Sequence, residues 1–443
     1  MGGWLTDQNM PKNLKEILPR KLGIWGLWLL AVNGLIGAGI FGLPSSAARL
    51  AGEYSPLIYL LCSLLIFPIV LCFAELASYF RSTGGPVRYS KEAFGSLVGF
   101  EVGWLYYISR VVAFAANSAL LLDSIGYFWG GVTDGFGRII SLALICGGLT
   151  FINVIGSVHA IRSLATLTII KIAALFLLII VGASQLGGEI IPHFEGPIPS
   201  ANDIGLAALL LTYAYGGFEY ASIPAGESRN PARHMPLALL LAIGGVAVLY
   251  LLIQIVSMAA VPNIASSSTP LLDAANALMG PTGLVFLILG IVASVGGNLA
   301  AGMFTTPRIT YTLALDGALP QWFGVVHEKL RTPANSIMFF GLVSFFLAIF
   351  GSFVWLAATS VFSRVLVYML TCAAVPRLRA RHAENGGFVL PAGNLIPILG
   401  ICTSAWLMLQ VSRDSFLFTM LLILVGSGFY ILARQQRLKE TKT

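Results

Sequence analysis

Charged residues are scarce in this chain. Of its 443 residues, only 10% are Asp, Glu, Lys or Arg and 57% are hydrophobic, with a mean hydropathy of +0.85. A soluble domain carries about 25% charged residues, because its surface must be solvated. The scarcity therefore indicates a surface that meets lipid. The net charge of +7 does not indicate a nucleic-acid partner, since the basic residues stand in short clusters between apolar runs.

Patterns that bind metals or carry out catalysis are also missing. The five histidines fall in predicted loops, and the five cysteines lie inside apolar runs without a CxxC pair. We therefore expect no metal, cofactor or disulfide. A membrane-embedded enzyme, the alternative from a different class, would need a nucleophile–base or metal group, and neither HExxH nor GxSxG occurs. An ion channel is disfavoured because its filter normally comes from oligomeric rings or repeated pore loops.

Long apolar runs fill most of the sequence. A helix needs about 20 apolar residues to cross a bilayer, and runs of this length predict an all-α membrane protein with twelve transmembrane helices. These spans 1 to 12 are predicted over residues 22–48, 55–80, 95–128, 138–157, 163–186, 203–224, 234–260, 283–315, 334–351, 353–375, 395–412 and 415–434. Spans 3 and 8 exceed the required length, so we expect them to be tilted or to extend beyond the bilayer.

Lysine and arginine are distributed unevenly along these spans. With the N-terminus inside, 20 of the 26 fall on the cytoplasmic side, as the positive-inside rule requires. Three fall on the opposite side, and three lie within spans: Arg110, Lys171 and Arg364. The pattern predicts a transmembrane domain over 22–434 between cytoplasmic tails over 1–21 and 435–443.

Glycines interrupt spans 1 and 6. The stretch Asn33–Gly42 holds four glycines, and Leu211–Tyr220 holds the pair Gly216-Gly217. Close helix packing through small residues would explain either one. Interruptions at corresponding places in two halves instead favour broken helices of an inverted repeat.

Two broken helices would suit a zwitterion. A half-helix N-terminus offers N–H groups and partial positive charge to a carboxylate, here around Ala38, Gly39 and Ile40. Carbonyl groups near Ile36 and Tyr215 would accept an ammonium. The sequence therefore favours a carrier for an amino acid.

Five motifs in order along the chain resemble the amino acid–polyamine–organocation superfamily. They are Gly37–Phe41, Glu75–Ala77 with Thr83–Pro86, Tyr213–Glu219, Glu227–Pro236, and Arg308 with Asp316–Pro320. The resemblance implies a LeuT-type fold, with spans 1–5 and 6–10 as inverted repeats and spans 11 and 12 as accessory helices.

Lys171 lies well inside span 5. One interpretation is a snorkelling side chain that reaches the headgroups. The other is a buried ammonium held by carbonyls and hydroxyls, which could bind and release a proton. The chain is similar here to sodium-independent members of the superfamily, which carry a lysine where sodium-coupled relatives bind an ion. That resemblance places Lys171 near the span 1 break and a span 8 hydroxyl, for which Ser294 is the candidate.

Arg110 in span 3 is the second buried charge. One interpretation is a structural ion pair with Glu219 or Glu75. The other follows from the resemblance: this part of span 3 lines the substrate cavity in the superfamily, and Arg110 would face that cavity. Facing the cavity unpaired, it would favour an anionic side chain. Arg364 in span 10 could face the cavity in the same way, and an ion pair is the role that we expect for it. Glu219 is a candidate gating or proton-carrying group, and Glu75 is expected in a solvated structural role.

These observations predict a secondary active amino acid transporter, sodium-independent and either proton-coupled or exchanging, with a polyamine or other organic-amine antiporter as the alternative. The candidate substrate-binding residues are Ile36, Gly37, Ala38, Gly39, Ile40, Tyr106, Arg110, Tyr215, Gly216 and Phe218. The candidate coupling residues are Lys171, Ser294 and Glu219. We expect a monomer or homodimer in a bacterial inner membrane.

Overall fold

A computed structural model describes residues 22–80, 85–156, 164–190, 192–222, 228–382 and 387–440, with the side chains of 164, 165, 189 and 437–440 excepted. Over these ranges the chain is helical and forms no strand, apart from one isolated bridge between Leu22 and Ser228. Several predicted features lie outside the described residues: the tail 1–21, Thr83 and Gly84, Glu227, and residues 441–443.

Seventeen α-helices are numbered in chain order over the described residues. The first nine are α1 (Ile24–Leu35), α2 (Ala38–Gly42), α3 (Pro44–Ala51), α4 (Ser55–Tyr79), α5 (Gly85–Phe94), α6 (Ser96–Gly126), α7 (Gly135–Ile155), α8 (Leu164–Leu186) and α9 (Ala201–Ala214). The others are α10 (Pro231–Ala260), α11 (Pro270–Ile291), α12 (Gly297–Thr305), α13 (Pro307–Leu315), α14 (Ala334–Phe350), α15 (Phe353–His382), α16 (Leu395–Met408) and α17 (Arg413–Glu440).

Nine helical segments in the described part of the chain are long and apolar enough to cross a membrane. They are Ile24–Gly42, Pro44–Tyr79, Ser96–Gly126, Gly135–Ile155, Thr166–Leu186, Pro231–Ala260, Pro270–Leu315, Phe353–His382 and Arg413–Gln436. Predicted spans 9 and 11 correspond to the shorter apolar helices α14 and α16. Helix α6 has 31 residues and is about 46 Å long at 1.5 Å per residue, so it exceeds a hydrocarbon core of about 30 Å.

The helix of span 1 is broken where the sequence predicts. Helix α1 ends at Leu35, Ile36 (φ −78°, ψ 91°) and Gly37 (φ −128°, ψ −153°) are extended, and α2 begins at Ala38. Span 6 breaks as well: α9 ends at Ala214, Gly217 has φ +111°, and a 3₁₀ turn follows over Phe218–Ala221. A left-handed φ of this kind favours glycine.

The two breaks pack backbone against backbone. A Cβ added to Gly34 would overlap the carbonyl of Gly217, and one added to Gly217 would overlap the carbonyl of Gly34. A Cβ on Gly39 would lie 2.5 Å from Cα of Ala214. Real Cβ atoms essentially never approach other atoms so closely, so these glycines set the distance between the two broken helices.

Glu75 is buried, which corrects the expectation of a solvated carboxylate. Its side chain is 0% exposed, and both carboxylate oxygens accept from the Arg379 guanidinium at 2.7 Å. Tyr79 Oη donates to the same carboxylate at 2.7 Å, and the Leu390 backbone N–H donates at 2.9 Å. Glu75 therefore has a structural role: its buried carboxylate joins α4 to α15 and to the segment before α16.

This junction predicts a stability difference between two glutamates. Glu75→Gln removes the charge that holds Arg379, and breaking a buried pair costs about 3 kcal/mol. Glu92→Gln is the control, because Glu92 and His382 form a pair with side chains 32% and 24% exposed, and such pairs contribute about 0–1 kcal/mol. Unfolding in detergent should show a clearly lower midpoint for Glu75→Gln alone. Equal midpoints for the two variants would contradict the assignment.

Candidate functional site

A polar cavity lies where the breaks of spans 1 and 6 meet α6. Its volume is about 40 Å³. It is lined by Gly34, Leu35, Gly37, Ala38, Gly39, Arg110, Ala113, Phe114, Asn117, Tyr213, Gly216, Gly217, Tyr220, Asn298, Gly302 and Arg364. A water needs about 10–15 Å³ on this scale, so the cavity has room for about three water molecules. A molecule the size of an amino acid therefore requires movement of the lining.

The structure brings half of the predicted substrate residues to this cavity. Those that line it are Gly37, Ala38, Gly39, Arg110 and Gly216. Those that do not line it are Ile36, Ile40, Tyr106, Tyr215 and Phe218.

The three predicted aromatic residues point into the helix packing instead. Tyr215 is fully buried, and its hydroxyl donates to the carbonyl of Tyr59 at 2.9 Å. Phe218 packs edge-on against Phe73 with ring centroids 5.2 Å apart. Tyr106 packs with Val102, Leu105 and Val367 in a small apolar cluster. In this conformation their contacts are with protein rather than with the cavity.

The ammonium of Lys171 is buried at the span 1 break. The residue is 1% exposed, which rules out the snorkelling interpretation. Its Nζ donates to the Asn33 carbonyl at 2.9 Å, to Asn33 Oδ1 at 2.9 Å and to the Ile36 carbonyl at 2.7 Å. Ser294 Oγ donates to the same Ile36 carbonyl at 3.0 Å. The lysine and the span 8 hydroxyl thus meet at the break, as the resemblance implies.

Tyr250 on α10 bonds to both breaks and was not among the predicted site residues. Its hydroxyl lies 2.7 Å from the carbonyl oxygen of Leu35 and 3.2 Å from that of Ala214, within hydrogen-bond reach of both. Carbonyls that leave a helix in an apolar environment need such donors. Tyr250 is the one tyrosine of span 7, and its hydroxyl in a largely apolar span was the available signal.

The ion pair suggested for Arg110 does not form among the described residues. Glu219 lies 3.9 Å from Nε of Arg364 instead, and Glu75 pairs with Arg379. Glu219 also accepts from the Gly217 backbone N–H at 2.9 Å and from Tyr368 Oη at 3.1 Å. Arg364 therefore takes the pairing role expected of it, and Glu219 is held between α15 and the span 6 break.

Arg110 stacks on an aromatic ring at the cavity wall. Its guanidinium carbon lies 4.2 Å from the ring centroid of Tyr220, a cation–π contact. Arg110 is 9% exposed and Arg364 is 4% exposed. Two buried guanidinium groups therefore line one small cavity.

Several lining residues escaped the sequence analysis. Tyr213 donates its hydroxyl to Asn117 Oδ1 at 3.1 Å, which ties span 6 to α6. Asn298 stands just after a π-helical turn over Val292–Gly296, with its Nδ2 facing Gly37. Asparagines inside apolar spans are costly to bury without a partner, and that was the signal that could have found Asn117 and Asn298.

The fold and the cavity define a class: an integral membrane protein with a polar cavity at two broken helices. The comparison with known families agrees, because the sequence pattern of the amino acid permease family matches residues 22–433. The chain belongs to this family, within the amino acid–polyamine–organocation superfamily, and is a transporter of small molecules, not an enzyme.

Three characterised relatives cover most of the chain. The methylthioribose transporter of Bacillus subtilis is 26% identical over 97% of this chain and 95% of its own length. The serine/threonine exchanger SteT of the same organism is 25% identical over 87% and 90%. The arginine/agmatine antiporter of Chlamydia pneumoniae is 24% identical over 96% and 92%. The similarity thus extends to transporters with uncharged and with cationic substrates.

The contact between the breaks predicts the effect of a larger residue at position 39. Gly39→Val would place side-chain carbons against Ala214, so the two breaks must separate and substrate binding should be lost. Gly244→Val is the control, because Gly244 has no atom within 4 Å of an added Cβ. Both variants are first checked by size-exclusion chromatography, and uptake is then measured in proteoliposomes. Normal uptake by Gly39→Val would refute the assignment.

Proposed function

We propose that the chain is a sodium-independent secondary active amino acid transporter, coupled to protons or exchanging substrates, that works by alternating access. The observation that carries this proposal is the buried ammonium of Lys171 on the carbonyls of Asn33 and Ile36. The family match supports transport itself.

The group that occupies the span 1 break supports sodium independence. In transporters with broken helices, unwound backbone carbonyls coordinate the sodium ion. Here three oxygen acceptors of Asn33 and Ile36 lie 2.7–2.9 Å from Lys171 Nζ. A second cation beside this ammonium would meet strong like-charge repulsion in a medium of low dielectric constant. The lysine thus takes the place of the ion.

Proton coupling rests on the same ammonium. Loss of its proton would remove a positive charge from the break and leave one fewer donor for three acceptors. The geometry of Ile36 and of the adjoining cavity would then depend on whether Lys171 is protonated. A transporter in which the lysine keeps its proton throughout would instead exchange substrates.

The substrate is proposed to bind across the two breaks. Its carboxylate meets the N–H groups of Ala38, Gly39 and Ile40. Its ammonium meets carbonyls beside Tyr215, because the Ile36 carbonyl already accepts from Lys171 and Ser294. The contact of Gly34 with Gly217 links the two breaks, so closure over substrate moves both.

The remaining architecture is proposed from the sequence pattern. It comprises twelve spans over 22–434, with spans 1–5 and 6–10 as inverted repeats of the LeuT type and spans 11 and 12 as accessory helices. Both tails face the cytoplasm of a bacterial inner membrane, and the protein acts as a monomer or homodimer.

Transport in the absence of sodium tests this proposal. Uptake of a radiolabelled amino-acid panel into proteoliposomes should proceed in sodium-free buffer, driven by a proton gradient or by internal substrate. Lys171→Met should reduce it at least about tenfold, because the Asn33 and Ile36 carbonyls lose a charged donor worth about 1.5–3 kcal/mol. Lys329→Met is the matched control, since Lys329 is exposed.

Two results would overturn the proposal. Uptake with a strict requirement for sodium would remove the coupling assignment. Unchanged uptake by Lys171→Met in sodium-free buffer would remove the role of the lysine.

A further inference from the structure

The cavity at the breaks carries more positive than negative charge. Arg110 and Arg364 both line it, and no carboxylate does so among the described residues. Glu219 lies beside the cavity and pairs with Arg364. Within the described part of the chain, Arg110 has no carboxylate oxygen within 4.0 Å of its guanidinium nitrogens, so Glu219 is a single carboxylate beside two guanidinium groups.

The two arginines are held in different ways. Arg364 Nε donates to Ser109 Oγ at 3.3 Å, and its Nη2 donates to Ser360 Oγ at 3.4 Å, in addition to the Glu219 pair at 3.9 Å. It also fills the space that a side chain on Gly216 would occupy. Arg364 is therefore a fixed part of the cavity wall.

Arg110 has its ring contact with Tyr220 and no hydrogen bond to a described side chain or carbonyl. A guanidinium offers five N–H donors in a fork that matches a carboxylate. An ionisable group inside a membrane protein is costly unless it is paired, and such a group marks a substrate or ion pathway. The N–H groups of the Arg110 guanidinium are thus free to donate hydrogen bonds to a bound substrate.

The acceptors at the breaks are largely engaged by the protein. The carbonyls of Asn33 and Ile36 accept from Lys171, and those of Leu35 and Ala214 lie within reach of the Tyr250 hydroxyl. A cationic side chain in the cavity would thus meet two guanidinium groups and few free acceptors. The site discriminates against lysine-like or arginine-like substrates by like charge.

We infer that the substrate is an amino acid with a carboxylate side chain, which Arg110 binds at the cavity wall. This inference rests on the proposed amino acid transport and adds the charge of the substrate to it. A bidentate pair between Arg110 and that carboxylate satisfies the unused donors and neutralises the excess charge.

Competition with the wild-type protein is the first test. Proteoliposomes loaded with aspartate or glutamate take up the same labelled acid by exchange, in competition with asparagine, glutamine, serine, arginine and succinate. We expect the two acids to compete at least about 100-fold better than their amides, because an amide leaves a buried charge unpaired, a loss of this order or larger in comparable sites.

The outcomes separate this inference from the proposed function. Transport of serine or asparagine equal to that of the acids, or transport of arginine, would overturn the acidic preference and leave amino acid transport standing. Transport of succinate but not of aspartate would overturn the amino-acid assignment and keep the anionic one. Movement of no compound on the panel would overturn both.

Substitutions at position 110 locate the contact. Arg110→Gln should lower uptake of aspartate by about 100-fold while asparagine gains relative to aspartate, and Arg110→Lys should restore part of the acidic preference because it keeps the charge. Arg413→Gln, at an exposed arginine, is the control. The ratio of aspartate to asparagine uptake is independent of the amount of folded protein, and an unchanged ratio in Arg110→Gln would overturn the role of Arg110.

Discussion

Backbone carbonyls that leave a helix inside a membrane protein must find donors in the protein, because lipid supplies none. The rest of this structure depends on how that requirement is met at the span 1 break. Lys171, Ser294 and Tyr250 come from α8, the π-helical turn after α11, and α10, and each donates to a carbonyl between Asn33 and Ile36. Three other elements are thereby positioned around one interruption. The break is a junction of the fold as well as the wall of a cavity.

The structure also depends on the close approach of the breaks in spans 1 and 6. Gly34 lies against Gly217 without intervening side chains, so a shift of one segment is passed directly to the other. Tyr250 adds a link, since its hydroxyl reaches the ends of α1 and α9 together. Two weak points in separate helices are thus joined into one movable unit. This is the mechanical arrangement that the proposed alternating access needs.

Much of the fold was predictable because the relevant signals are local. Apolar runs gave the bounds of most helices to within a few residues, and glycines gave both breaks. Side-chain direction was harder: Tyr215 and Phe218 stand beside the break, yet at 100° per residue a small helix rotation decides whether a ring faces cavity or protein. The partner of Glu219 was likewise open, since Arg110 and Arg364 lie on different helices and their separation depends on packing. Helix α5, short and amphipathic, gave no long apolar run and was not predicted.

The contact of Arg364 with Gly216 couples two positions that are 148 residues apart in the chain. The guanidinium occupies the volume that any side chain at 216 would need. A relative that acquires alanine or a larger residue there must therefore move or lose the arginine, and its loss would release Glu219 from its pair. Positions 216 and 364 should therefore change together as the family diverges: a larger side chain at 216 would accompany the loss of the arginine at 364. A single paired substitution would then alter both the shape and the net charge of the cavity, which offers a short evolutionary route between transporters of differently charged substrates.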